Sequence, residues 1–200
     1  MRTVLTALAL CVLTSAAFAA DGEHLRIAPY PAAVPWKKIT DHHDPKMTMY
    51  EWIPADQSEN DIHDILTEQD FPMQANADPA AFVRNFLAQA GGACRSARVN
   101  GPKTSIESGY PVAYAQAYCA GNGNLDVDIF VKAIGGKRAL YVVQREFRRP
   151  AQPGAVAGVA SFDKSQMAVL TARMTAQSTA NRFLSDSVQL CSGTCPAHRP

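Results

Sequence analysis

Two hydrophobic periods run along the chain, and their order predicts its architecture. From Met47 to Ile53 the period is two. Met47, Met49, Glu51 and Ile53 fall on one side and Thr48, Tyr50 and Trp52 on the other, which predicts a strand that Pro54 ends. Trp36 to Thr40 predicts the start of an earlier strand. Asp78-Pro79 then opens a helix, with Asp78 as N-cap and Pro79 at the first helical position. Phe82, Val83, Phe86, Leu87 and Ala90 make its apolar stripe, and Gly91-Gly92 ends it. Ile62 to Phe71 fits either period: Ile62, Ile65 and Leu66 have helical spacing, in an acidic segment that stops at Pro72.

The period returns to two over 112–119. Val112, Tyr114, Gln116 and Tyr118 face one way, and Ala113, Ala115, Ala117 and Cys119 the other. That small-residue face lets a helix approach closely. Gly121-Asn122-Gly123-Asn124 predicts a turn into a strand over 125–134, with Val127, Ile129, Val131 and Ala133 inward and Asp126 and Asp128 outward. Gly135-Gly136 predicts a two-residue hairpin turn, both glycines at positive φ, into a return strand over 137–147. A proline- and glycine-rich connector, 150–158, leads to a long helix over 163–189. Its predicted buried stripe is Met167, Leu170, Met174, Phe183, Leu184 and Val188.

Strands and helices are segregated, so the predicted class is α+β: a two-layer sandwich, an antiparallel sheet with helices packed on one face. Over 45–190 this element order resembles the Mog1/PsbP-like αβ sandwiches, whose members bind other proteins or assist assemblies. The resemblance is one of order, carries no motif and assigns no site residue.

The first twenty residues change the picture of where the chain goes. Met1-Arg2, an apolar run from Val4 to Val12 and the small-x-small triplet Ala17-Phe18-Ala19 predict a cleaved signal peptide, 1–20. Leu10 before Cys11 argues against a lipidation site. An extended arm over 21–40, carrying Pro29, Pro31 and Pro35, leads into a single disulfide-stapled domain, 41–195, with a frayed tail at 196–200. After cleavage, Cys94, Cys119, Cys191 and Cys195 remain. An even number in an exported chain predicts two disulfides, Cys94–Cys119 and Cys191–Cys195. The expected location is periplasmic or secreted. No uninterrupted apolar run of about 18 residues follows the leader, so no transmembrane segment is expected after cleavage.

Of 200 residues, 47% are hydrophobic and 18% charged, with a net charge of +1. That excludes a disordered tail and a globally basic nucleic-acid binder. Charge is uneven: residues 21–90 carry 5 basic and 12 acidic side chains, and residues 91–200 carry 13 and 6. Two halves that attract across one fold is the plain reading.

The remaining residues offer five candidate chemistries. Asp41-His42-His43-Asp44, followed by Met47 and Met49, offers imidazole and thioether ligands to copper from a loop before Pro45, although strand methionines ordinarily fill a core. Hydrolysis lacks a nucleophile elbow or zinc signature; His63 between Asp61 and Asp64, and the pair Asp126/Asp128, read as solvated. Cys191-Ser-Gly-Thr-Cys195 has the wrong spacing for a redox pair, leaving thiol–disulfide exchange as a third function. Gly121-Asn-Gly-Asn precedes a strand rather than a helix, so it does not cradle phosphate. A binding surface of Tyr110, Tyr114, Tyr118 and Tyr141 with Arg145, Arg148 and Arg149 fits interface composition best. The sequence therefore predicts a non-enzymatic module, without cofactor, that binds another envelope protein or a small ligand. Metal handling through His42, His43, Met47 and Met49 is the alternative.

Overall fold

The computed structural model describes residues 22–28, 35–151 and 164–193. The predicted leader, residues 29–34, most of the connector, Cys195 and the tail lie outside the described residues. The strands are β1 (His24–Ile27), β2 (Trp36–His43), β3 (Thr48–Pro54), β4 (Asp64–Phe71), β5 (Ser96–Glu107), β6 (Tyr110–Asn122), β7 (Leu125–Gly135), β8 (Leu140–Pro150) and β9 (Val188–Cys191). Helix α1 (Pro79–Gly92) lies between β4 and β5, and α2 (Lys164–Ser187) between β8 and β9.

Seven strands form one sheet in the order β2-β3-β4-β8-β7-β6-β5, and β1 pairs separately with β9. Every pairing is antiparallel. The class is α+β, as the segregated pattern implied. The ambiguous segment 62–71 resolves as β4, whose partner on one side, β8, lies far away in sequence.

The expectation of helices on one face is corrected. Ala113, Ala115 and Ala117 of β6 pack with Val83 and Leu87 of α1. Their alternates Val112 and Tyr114 pack with Ala180, Phe183 and Leu184 of α2. Successive strand residues point to opposite faces, so α1 and α2 sandwich the sheet from opposite sides. The pattern hid this because β7 is buried on both faces: Asp126, Asp128 and Lys132 alternate with Val127, Ile129 and Val131, and all are buried. Asp126 and Asp128 are therefore not on an outer, solvated face. The stripe expected on the long helix holds only in part. Phe183 and Leu184 are buried, whereas Met167 and Met174 are exposed.

Local signals account for the ends of elements. The Asp78 carboxylate accepts from Ala80 N at 2.8 Å and caps α1. Gly121 and Gly123 adopt φ of +66° and +60° in the β6–β7 turn. Gly135 and Gly136 do not form a two-residue turn. The β7–β8 loop closes through Gly136 N to the Ala139 carbonyl at 3.0 Å, and neither glycine is at positive φ. Glycine is needed there for space: a Cβ on Gly135 would lie 2.8 Å from the Ala77 carbonyl oxygen. The expected arm contributes β1 and the start of β2. Just ahead of β1, the Glu23 carboxylate accepts from Lys137 N and Arg138 N at 2.8 and 2.9 Å.

Cys94 and Cys119 are disulfide-bonded, tying the chain just after α1 to β6 as the spacing predicted. Cys191 is also disulfide-bonded; its expected partner lies outside the described residues.

Candidate functional site

The two helices cover the sheet unequally. α1 packs on β5, β6 and β7, and α2 on β7 and β8. Among the described residues, neither helix makes comparable contact with β2 or β3, although Trp36 and Trp52 pack in part against the core under α2. The sheet thus has a covered half and an open half, and its charged residues behave differently in each.

In the covered half, buried charges are saturated from within. Asp128 is 1% exposed. It accepts from Arg149 at 2.6 Å, from Arg173 at 2.7 and 3.2 Å, and from Gln177 at 3.3 Å. Arg173 also lies 4.3 Å from the centre of the Tyr118 ring. Asp126 accepts from the Tyr118 hydroxyl at 3.2 Å and from Gly121 N at 3.0 Å. Lys132, wholly buried, donates to Glu107 at 2.7 Å and to the carbonyls of Leu184 and Val188 at 3.0 and 2.6 Å. All three ammonium protons are placed, two of them at the C-terminal end of α2, where a cation opposes the helix dipole. Burial pulls the Lys132 pKa down and Glu107 opposes the shift. The Tyr114 hydroxyl donates to the same Glu107 carboxylate, and burial with that hydrogen bond holds its pKa far above the usual phenol range. These contacts clamp α2 to the sheet.

Of the tyrosines and arginines singled out in the sequence, Tyr114, Tyr118 and Arg149 fall into this clamp. Tyr110 and Tyr141 are buried, Tyr114 and Tyr118 half-buried, and Arg145 is 2% exposed. Burial is the leading cause that raises the Tyr141 pKa. Arg149 is spent on Asp128, and Arg148, on the other face of the sheet, pairs with Glu146. They do not compose an exposed patch, because α2 lies over the face that most of them share.

The open half presents a different set. Its residues are brought together by register, on the side of the sheet that carries α2. Lys38 pairs with Trp52, Trp52 with Leu66, and Leu66 with Arg145. In the next row Asp41 pairs with Tyr50, and Tyr50 with Glu68. The Lys38 ammonium lies 4.6 Å from the Tyr50 ring centre and 5.4 Å from that of Trp52, and pairs with Asp41 at 2.7 Å. The inner border is Arg145, held by the Asp64 carboxylate and stacked against Trp36 and Phe147 at 4.4 and 5.1 Å. Burial pushes the Asp64 pKa up against the pull of Arg145. Glu68 sits half-buried between Tyr50 and Val143. Burial first, and then its neighbour Asp70, raise its pKa to about 7, with Lys38 opposing. Two half-buried aromatic rings, one exposed cation and one carboxyl poised near neutrality thus lie together away from the main contacts of the described helices. Such a surface can stack on, and hydrogen-bond to, an incoming group.

His42 and His43 belong to the end of β2 and not to a loop. His43 shares the aromatic side: it meets Tyr50 edge-on at 5.4 Å and bonds Asp41 at 2.6 Å. His42 is opposite Met49, on the reverse side. His63 is exposed and bonds Asp61 at 3.1 Å.

Sequence reasoning did not select Trp36, Lys38, Tyr50, Trp52 or Glu68 as a site. The alternation from Met47 to Ile53 already put Tyr50 and Trp52 on one side, and that was the available signal. What it lacked was the position of β4, which brings Glu68 beside them.

No family model matches the chain, and no curated protein matches it. Among solved structures, the chain is similar to LpqN, involved in cell envelope biogenesis of Mycobacterium tuberculosis. The TM-score is 0.38 at 13% identity, covering 85% of this chain and 84% of that one. A likeness this shallow carries no argument about fold or function.

Proposed function

We propose that the chain is an exported, non-enzymatic binding module of the cell envelope that engages a protein or small ligand through the open half of its sheet. The observation that carries this reading is the cluster of half-buried Tyr50 and Trp52 around the exposed Lys38, bordered by Glu68. Export is supported by the leader pattern of residues 1–20 and by disulfide bonding at Cys94–Cys119, since disulfides persist in oxidising compartments. No helix among the described residues is long and apolar enough to cross a membrane. A non-enzymatic role is supported by the internal saturation of Asp128 and Lys132, the most deeply buried charges.

The test is a photo-crosslinking amino acid placed at position 50, with a control at position 99 on the far edge strand, both in the native envelope. The expected result is one adduct of defined mass from position 50 alone, lost when Lys38→Glu is added. Equal adducts from both positions, or an adduct indifferent to Lys38→Glu, overturn the reading.

A further inference from the structure

The reverse side of the β2–β3 hairpin gathers a second set of groups. His42 is directly across from Met49, and Met49 is directly across from Gln69. Met47 stands just before β3, two residues ahead of Met49. Cross-strand partners of this kind have Cβ atoms about 5 Å apart. The Gln69 side-chain nitrogen lies 3.4 Å from the Met47 sulfur and 3.5 Å from the Met49 sulfur, so both thioethers converge on one point.

Core filling does not explain these methionines. Neither belongs to the apolar cluster under α1 nor to the one under α2. They are half-buried beside a histidine whose side chain is 47% exposed. A thioether is a weak acceptor, and an amide nitrogen is a poor reason to aim two of them at one place. The histidine is held as a ligand would be. Its Nε2 lies 3.1 Å from Asp44 Oδ2, while Asp44 Oδ1 accepts from the backbone of Lys46 and Met47 at 2.7 and 2.8 Å. An ionised carboxylate only accepts, so the neutral imidazole carries its proton on Nε2 and offers the Nδ1 lone pair. A carboxylate that fixes the tautomer in this way is the usual outer partner of a metal-binding histidine.

We propose that His42, Met47 and Met49 form a site for a soft monovalent cation, Cu(I) in chemistry. The donor set selects the metal. One imidazole and two neutral thioethers suit Cu(I). Zn(II) prefers thiolate, imidazole and carboxylate, and finds here a single good ligand. Among the described residues no three His, Cys, Asp or Glu side chains gather as a metal site, which leaves thioethers as the deciding donors. His43 takes no part, because it lies on the opposite face against Tyr50. The proposal goes beyond the binding-module reading, lies on the other side of the hairpin and stands or falls separately from it.

The test is titration of the mature chain with Ag(I), a redox-inert stand-in for Cu(I), followed by methionine-methyl NMR. Saturation at one equivalent is expected, with the Met47 and Met49 methyl resonances shifting and those of Met73, Met167 and Met174 unmoved. The nearly isosteric Met47→Leu/Met49→Leu variant, checked as folded by circular dichroism, should bind about 100-fold more weakly, and Asp44→Asn about 10-fold. His43→Ala should bind as the parent does. Affinity unchanged by the double substitution, shifts shared equally by all the methionines, or no saturable binding would each overturn the site.

Discussion

The covered and open halves of one sheet handle charge in opposite ways. Under α2, Asp128 and Lys132 are nearly or wholly inaccessible, and each is bonded by several other parts of the fold. Across β2, β3 and β4, Lys38 meets an exposed carboxylate and two ring faces, and Glu68, which it also attracts, is poised near neutrality. A buried charge satisfied from within positions an element. A half-buried group that solvent or a partner can still reach is where binding energy remains to be gained. The two halves therefore predict opposite responses to substitution: stability in the first, recognition in the second.

The largest effect is expected at Lys132. Lys132→Met keeps most of the side-chain volume but removes the donor to the Leu184 and Val188 carbonyls and the cation beside Glu107, which keeps its bond from Tyr114. Each buried carbonyl left without its donor costs about 1–3 kcal/mol. Denaturant unfolding should show that loss, and a change near zero would mean that α2 does not depend on this clamp. Next comes the disulfide. Cys94→Ser/Cys119→Ser removes a crosslink of 25 residues in sequence separation. In the chain-entropy model this is worth about 3 kcal/mol. The unfolding midpoint of the double variant should fall accordingly.

A smaller effect belongs to Glu68. Its ordinary pKa is 4.5 and its folded value is about 7, raised chiefly by burial. The folded state therefore holds the proton more tightly than the unfolded one. Stability from this group is fully present below pH 4.5 and is lost as pH rises through 7. The side chain is partly exposed, so solvent screening reduces the effect to about 1–2 kcal/mol. Glu68→Gln should flatten the stability profile between pH 5 and 8 relative to the parent. Parallel profiles for the two proteins would show that Glu68 titrates normally.

How much of this was legible in the sequence depended on whether the deciding contact was local. The Asp78 cap, the α1 stripe, the Cys94–Cys119 bond and both faces of β6 follow from residues close together in sequence, and all are present. Long-range arrangement was not legible. Asp126 and Asp128 read as solvated because their strand alternates cleanly, and only α2, some 40 residues later, shows that both faces are covered. The β4 segment read both ways because Ile62, Ile65 and Leu66 mimic a helical stripe, while pairing with β3 and β8 makes it a strand. β5 escaped notice because it is a polar edge strand whose exposed side needs no apolar alternation. The tyrosine and arginine set was legible as one face, but not as a face beneath a helix.

The smallest change in stability, and the sharpest separation of the two halves, is expected at Lys38. Its partners are the exposed Asp41 carboxylate and the accessible faces of Tyr50 and Trp52. An exposed ion pair gives up to solvent most of what it gains, so Lys38→Ala should leave the melting temperature unchanged within error. The same substitution removes the only cation that these described contacts place over both rings, and with it the charge that a bound partner would meet. Crosslinking from position 50 should then fall sharply in a protein that is as stable as the parent. Lys132→Met is the mirror case: it weakens the fold but leaves the Lys38 surface chemically intact, so crosslinking should persist wherever the variant remains folded. If Lys38→Ala lowered the melting temperature as Lys132→Met does, the open half would be structural as well, and the division between the halves would fail.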